Sequence, residues 1–213
     1  MDDKPGLRER KKLRTRAAIS DAAIALFLEH GFNQVSVAQV AEAAEVSKRT
    51  LFAYFPTKEE LVVHRLADHE AESARVVRTR PPGTSPLSAL RGHFLAGLQE
   101  RDPITGLNDH PMVLRLTRMI DDAPTLLARM DRFKAGAERA LADALRETAD
   151  LPELTARLAA VQIVSVQWTL SRENAARLAG GESADARHPG AVADAEQGFA
   201  LLEHGLGSLA PRR

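Results

Sequence analysis

The sequence predicts an all-α fold on three observations. Every periodic apolar segment repeats at steps of three and four, none alternates over a strand's length, and three helix-capping signals follow one another between Ser36 and Glu60. The expected parts are a small helical domain over residues 1–57 and a larger helical domain over residues 58–213. In the first helix, expected from about Arg8 to His30, Ile19, Ala22, Ala23, Leu26 and Phe27 make one apolar stripe, and Gly31 supplies a left-handed stop. Ser36 with Gln39, and Thr57 with Glu60, each have capping-box spacing, while Ser47 can cap a helix between them. Val37, Val40, Ala41 and Ala44 are the buried side of the second helix. Leu51, Tyr54 and Phe55 partly bury the third, which Pro56 ends.

Beyond residue 58 the segments lengthen, with breaks at Arg80 to Pro86, Arg101 to His110 and Gly180 to Gly190. Leu87, Leu90, Phe94 and Leu98 stripe one helix. After a turn at Asp121 to Pro124, Leu126, Met130, Phe133, Ala137, Leu141 and Leu145 stripe another. Leu154 to Leu170 is apolar on more than one face, since Leu158, Val161, Ile163, Val164, Val166 and Trp168 do not share a single side. The last segment repeats Val192, Ala195, Phe199, Leu202 and Leu206 at the spacing of a four-helix bundle. Leu158 and these five are therefore the candidate dimer contacts, two copies of the terminal pair forming an intersubunit bundle.

Composition narrows the function classes. At 44% hydrophobic over 213 residues the chain can build a core, and no run reaches the roughly 18 apolar residues of a membrane span, so a cytoplasmic protein without membrane contact is expected. It has no cysteine, which excludes disulfides, thiolate chemistry and the usual structural zinc sites. Net charge is zero, but residues 1–58 carry ten Lys/Arg against seven Asp/Glu. The excess gathers in Lys4, Arg8, Arg10, Lys11, Lys12, Arg14 and Arg16, an arm able to neutralise phosphates. No catalytic order of Ser, His and Asp and no Gly-rich phosphate loop is present, so no enzyme, no catalytic residue and no cofactor is expected. His64, Asp68 and His69 are close enough to suggest a metal, but a charged exposed face explains them, and no metal site is assigned.

The second helix, a tight turn at Ala44 to Val46 and the third helix have the dimensions of a helix-turn-helix. In that geometry the start of the third helix faces the major groove, which puts Lys48, Arg49 and Thr50 at base edges. Arg and Lys donate to guanine O6 and N7, and Thr offers a hydroxyl or a methyl. Tyr54 and Lys58, further along, suit phosphate.

The run from Gly31 to Leu61, GFNQVSVAQVAEAAEVSKRTLFAYFPTKEEL, resembles the DNA-binding domain of the tetracycline-repressor (TetR/AcrR) family, over about residues 10 to 62. The resemblance implies a DNA surface of Ser36, Val37, Ser47, Lys48, Arg49, Thr50, Phe52, Tyr54 and Lys58, with Ser36 capping its helix against a phosphate. Departures are Val35 for a second hydroxyl residue, Ala38 for a polar one, Phe52 and Ala53 where Tyr and His are common, and Glu45 for the turn glycine. It further implies a homodimer on duplex DNA of palindromic sequence, and a C-terminal ligand-binding and dimerisation domain. An unknown small-molecule effector would lie among Phe94, Met112, Leu116, Met119, Phe133, Gln162, Val166 and Trp168. A helix from Thr57, striped by Leu61, Val62 and Leu66, would couple the two domains. The expected function is a repressor released from its operator by the effector. A ligand-independent regulator or activator is the alternative, and a helical enzyme with a DNA-binding module the third reading.

Overall fold

A computed structural model describes residues 6–205, without the side chains of residues 7–9, 65, 67 and 68. Lys4 and Leu206, and the side chains of Arg8 and Asp68, therefore lie outside the described residues. The described residues are helical throughout, with no strand among them. The helices are α1 (Leu7–His30), α2 (Val37–Ala43), α3 (Lys48–Tyr54), α4 (Lys58–Val63), α5 (Ala67–Glu70), α6 (Glu72–Thr79), α7 (Pro86–Glu100), α8 (Pro111–Asp121), α9 (Pro124–Ala149), α10 (Glu153–Ala179) and α11 (Ala184–His204). Tight 3-10 turns occupy His64–Leu66 and Pro103–Thr105. No helix among the described residues is long and apolar enough to cross a membrane.

The chain forms two compact units. The first holds the residues up to Ala67 together with Arg118–Met130, and the second holds Asp68–Thr117 and the residues from Asp131 onward. α4 belongs to the first unit, although the sequence reading starts the second domain at residue 58. It packs on α1, where the buried Ser20 hydroxyl donates to the Leu61 carbonyl at 2.7 Å, and Leu61, Val62 and Val63 are all buried. Leu61 and Val62 of the expected coupling stripe thus contribute to the core of the first unit, while Leu66 is half-buried. Ile19, Ala23, Ile24 and Phe27 of α1, Val40 and Ala41 of α2, and Leu51 and Phe55 at α3 are buried with it.

In the second unit α10 packs on α11, α11 on α7, and α7 on α6. Leu90, Phe94 and Leu98 of α7 meet Leu141 and Leu145 of α9, Ile163 and Val164 of α10, and Ala195 and Phe199 of α11 in one core. A buried polar network crosses it. Asn174 donates to the Thr105 carbonyl at 3.0 Å and accepts from Arg187 Nε at 3.1 Å, and Arg187 also pairs with Asp194. Two glycines make room for this arrangement. A Cβ on Gly106, whose φ is +72°, would stand 1.9 Å from the Ser171 carbonyl oxygen, and one on Gly190 would stand 2.8 Å from Arg187 Nη1.

The expected break from Gly180 to Gly190 is corrected. Ser183 caps α11 by accepting from the Ala186 N–H at 3.2 Å, and Pro189 and Gly190 lie inside the helix. The dimer assignment is corrected at Ala195 and Phe199, which are 0% and 1% exposed and face their own chain's core, Phe199 lying 6.1 Å from Phe94. Val192 and Leu202 are partly buried against that same core. Of the described candidates, Leu158 stands exposed, on an α10 stripe with Leu154 and Val161.

Candidate nucleic-acid interface

Local hydrogen bonds build the element that carries the interface. Ser36 Oγ accepts from the Gln39 N–H at 3.3 Å while Gln39 Oε1 accepts from the Ser36 N–H at 2.8 Å, a complete capping box that starts α2. α2 ends in a Schellman turn: the Glu45 N–H donates to the Glu42 carbonyl and the Val46 N–H to the Ala41 carbonyl, at 3.0 and 2.9 Å. Glu45 takes a left-handed φ of +53° there. Ser47 Oγ then accepts from the Thr50 N–H at 3.0 Å and opens α3. The Thr57 hydroxyl caps α4 by accepting from the Glu60 N–H at 3.3 Å, but the reciprocal half of the expected box is missing, because Glu60 instead receives Arg129 Nε at 2.8 Å.

On α3 the buried side is Leu51, with Phe55 fully buried just past the helix end. The opposite side presents Lys48, Arg49, Phe52 and Ala53 to solvent. Lys48 and Arg49 are thus exposed at the start of α3, with no carboxylate in the sequence between Val46 and Thr57. Thr50 is half-buried, its hydroxyl 2.8 Å from that of Ser47. Ser36 is exposed, and Val37 and Tyr54 are half-buried.

Lys58, expected to suit phosphate, is engaged within its own chain. Its ammonium donates to the Phe32 carbonyl and lies 4.4 Å from the Phe32 ring centroid and 5.3 Å from that of Phe27. Burial pulls its pKa below the ordinary lysine value, against a raising influence from Glu59. It holds the start of α4 to the loop after α1. Arg16 likewise leaves the basic arm, its guanidinium 5.2 Å from the Phe55 ring centroid, while Arg10, Lys11, Lys12 and Arg14 stay exposed.

Residues 19–64 match the family model described as "Bacterial regulatory proteins, tetR family". The regulator TcmR of Streptomyces glaucescens is 35% identical over 176 residues, which cover 78% of each chain. The chain belongs to the TetR family. The transcriptional repressor KstR of Rhodococcus jostii is 31% identical over 157 residues, 72% of this chain and 68% of that one. The structure of NalD from Pseudomonas aeruginosa aligns with a TM-score of 0.56 at 20% identity, over 87% of this chain and 96% of that one, and shares the fold. This TetR-family chain is therefore a DNA-binding transcriptional regulator and not an enzyme, as the sequence led us to expect, and such regulators bind DNA operators and act as dimers.

Of the residues assigned to an effector, Met119 falls in the first unit and the other seven in the second. Phe94 is core, Met112 is exposed, and Leu116 is half-buried on α8. Gln162 is exposed and donates to the Leu158 carbonyl of its own helix at 3.2 Å, so it serves α10 itself. Phe133 and the half-buried Trp168 do meet, with ring centroids 6.5 Å apart, whereas the half-buried Val166, two residues earlier on α10, lies against Gly198 of α11. A charged group that sequence reasoning missed also lies in this unit: Glu72 receives His69 Nδ1 at 2.6 Å on one oxygen and His93 Nε2 at 3.3 Å on the other. Hydrogen bonding from His69, then from His93, holds the Glu72 carboxyl well below the usual carboxylate range, and Glu72 in turn raises the His93 pKa. The signal available in sequence was the His69–Glu72 spacing of one helical turn, but His93 is brought in by packing of α7 on α6. Among the described residues no cluster of three metal-ligating side chains is disposed to hold an ion.

Proposed function

We propose that the protein is a homodimeric repressor that reads an inverted-repeat operator through α3 and is released when a small molecule enters its second unit. The carrying observation is the exposed cationic edge of α3, Lys48 and Arg49, held outward by two capped helix starts and a Schellman turn. One such helix reads too few bases for specificity among genomic competitors, so a two-fold pair on a two-fold site supplies the remainder. The exposed Leu154, Leu158 and Val161 stripe on α10 supports a dimer contact there. Repression is supported by kinship with KstR, named a transcriptional repressor, and release by a ligand is the family's typical mode of control. The Phe133–Trp168 ring pair supports an effector contact in the second unit, the half-buried Trp168 being its accessible member. Work on DNA supports a cytoplasmic location.

Trp168 is the chain's one tryptophan and gives the test its signal. A compound library is screened for quenching of its emission, and each hit is titrated with and without a duplex recovered by in vitro selection. A true effector binds the protein–DNA complex more weakly than free protein, by the same factor with which it weakens the DNA. Hits whose affinity is indifferent to DNA, together with a chain that stays monomeric on the duplex, would overturn the proposal.

A further inference from the structure

All phenylalanines but one are put away. Of the seven in the chain, Phe27, Phe32, Phe55, Phe94, Phe133 and Phe199 are at most 6% exposed, whereas Phe52 is 49% exposed. It stands on the outward side of α3 one turn beyond Lys48 and Arg49, and at 3.6 residues per turn its azimuth falls between theirs. Its neighbour on the open side is Ala53, also exposed, and the half-exposed residues that start α2 are Val37 and Ala38. The centre of the cationic face is thus a bare apolar ring with no donor, acceptor or charge.

We infer that Phe52 is a specificity-determining residue that reads the C5-methyl group of a pyrimidine, thymine in the native operator, by apolar contact in the major groove. This rests on the DNA-reading role proposed for α3 and assigns the chemistry of its central position. The ring cannot hydrogen-bond a base edge or a phosphate, and among the groups of the major groove the thymine methyl is the one that gains from apolar burial. Three to four residues along a helix advance 4.5–6 Å, against 3.4 Å per base pair, so the methyl lies within about two pairs of the one contacted by Arg49. The contact requires a methyl group and not thymine as such, so 5-methylcytosine satisfies it too.

The test uses the full chain and a duplex recovered from a randomised library by in vitro selection, read by fluorescence anisotropy. Each thymine is replaced singly by deoxyuridine, which removes the methyl and nothing else. One position per half-site should lose about four-fold in affinity, the value of one buried methyl group. With Phe52→Ala that penalty should vanish, and with Phe52→Leu it should persist. Cytosine at the same position should bind weakly and 5-methylcytosine should recover part of the loss. Phe52→Ala should melt at the wild-type temperature, since the ring lies outside the core; a lowered midpoint would make it a packing residue and overturn the inference. Uniform indifference of the wild type to deoxyuridine, or an undiminished penalty in Phe52→Ala, would overturn it while leaving DNA reading by α3 intact. Failure of selection to enrich any sequence, or wild-type binding by Lys48→Ala and Arg49→Ala, would instead remove that underlying role and this inference with it.

Discussion

Glu45→Gly should stabilise the first unit. Glu45 occupies the C′ position of the Schellman turn that ends α2, with φ +53° and both of the motif's hydrogen bonds in place, so the backbone there is already the one glycine prefers. A residue with a Cβ costs about 1–2 kcal/mol in the left-handed region. Glycine returns about 0.5–1 kcal/mol of that through the greater freedom of its unfolded chain. The net gain is therefore about 0.5–1 kcal/mol, or about 1–4 °C in the melting midpoint for a chain of this size. Thermal unfolding followed by circular dichroism measures it, with Glu45→Gln as the control that removes the charge but keeps the strain. If Glu45→Gln gains as much as Glu45→Gly, the benefit is electrostatic, and if Glu45→Gly loses stability the strain argument fails.

Lys58→Met keeps the aliphatic stem but not the bond to the Phe32 carbonyl; it should cost about 1 kcal/mol in urea unfolding and leave the salt dependence of DNA binding unchanged, whereas a slope reduced by about one would restore Lys58 as a phosphate anchor. Asn174→Ala leaves Arg187 Nε and the Thr105 carbonyl without their buried partner, and should destabilise the second unit by about 2–4 kcal/mol; a loss below about 0.5 kcal/mol would show the network to be dispensable. The pKa of His93 is raised in the folded chain, so its ion pair with Glu72 contributes fully below the unfolded value near 6.5 and fades as pH rises through the higher folded value. The Glu72 carboxyl is depressed, so its contribution is present above the unfolded value near 4.5 and fades only in stronger acid. The melting-temperature gap between wild type and His93→Gln should accordingly be widest near pH 5–6 and close as the solution becomes alkaline; a gap that widens with pH would contradict the pairing. Leu158→Glu should convert the dimer to monomer in light scattering without lowering helicity, and an unchanged dimer would move the interface away from α10.

What the sequence disclosed follows the range of the interactions involved. The caps at Ser36, Ser47 and Thr57 connect residues three apart, so spacing alone reveals them, and the stripe of α1 needs only helical periodicity. The intrachain partner of Lys58 was hidden because its acceptor is a carbonyl 26 residues earlier, and that of Glu60 because Arg129 reaches it from α9. The repeat on α11 showed an apolar face but not whose core would cover it; in the fold its own α7 and α10 do. Pro189 and Gly190 look like a break in one dimension, yet the glycine makes room for the Arg187 guanidinium inside a continuous helix. Phe52 was readable as part of the DNA surface, but only burial of the other six rings set it apart.

The most direct measurement is the affinity of wild type and Arg49→Ala for the selected duplex, for single-base variants of it and for a scrambled duplex, at fixed salt. Arg49→Ala should lose about 1–3 kcal/mol on the selected sequence, become tolerant of substitution at one base pair per half-site, and bind the scrambled duplex almost as wild type does. Equal losses on every duplex, or none on any, would mean that the exposed edge of α3 does not read bases.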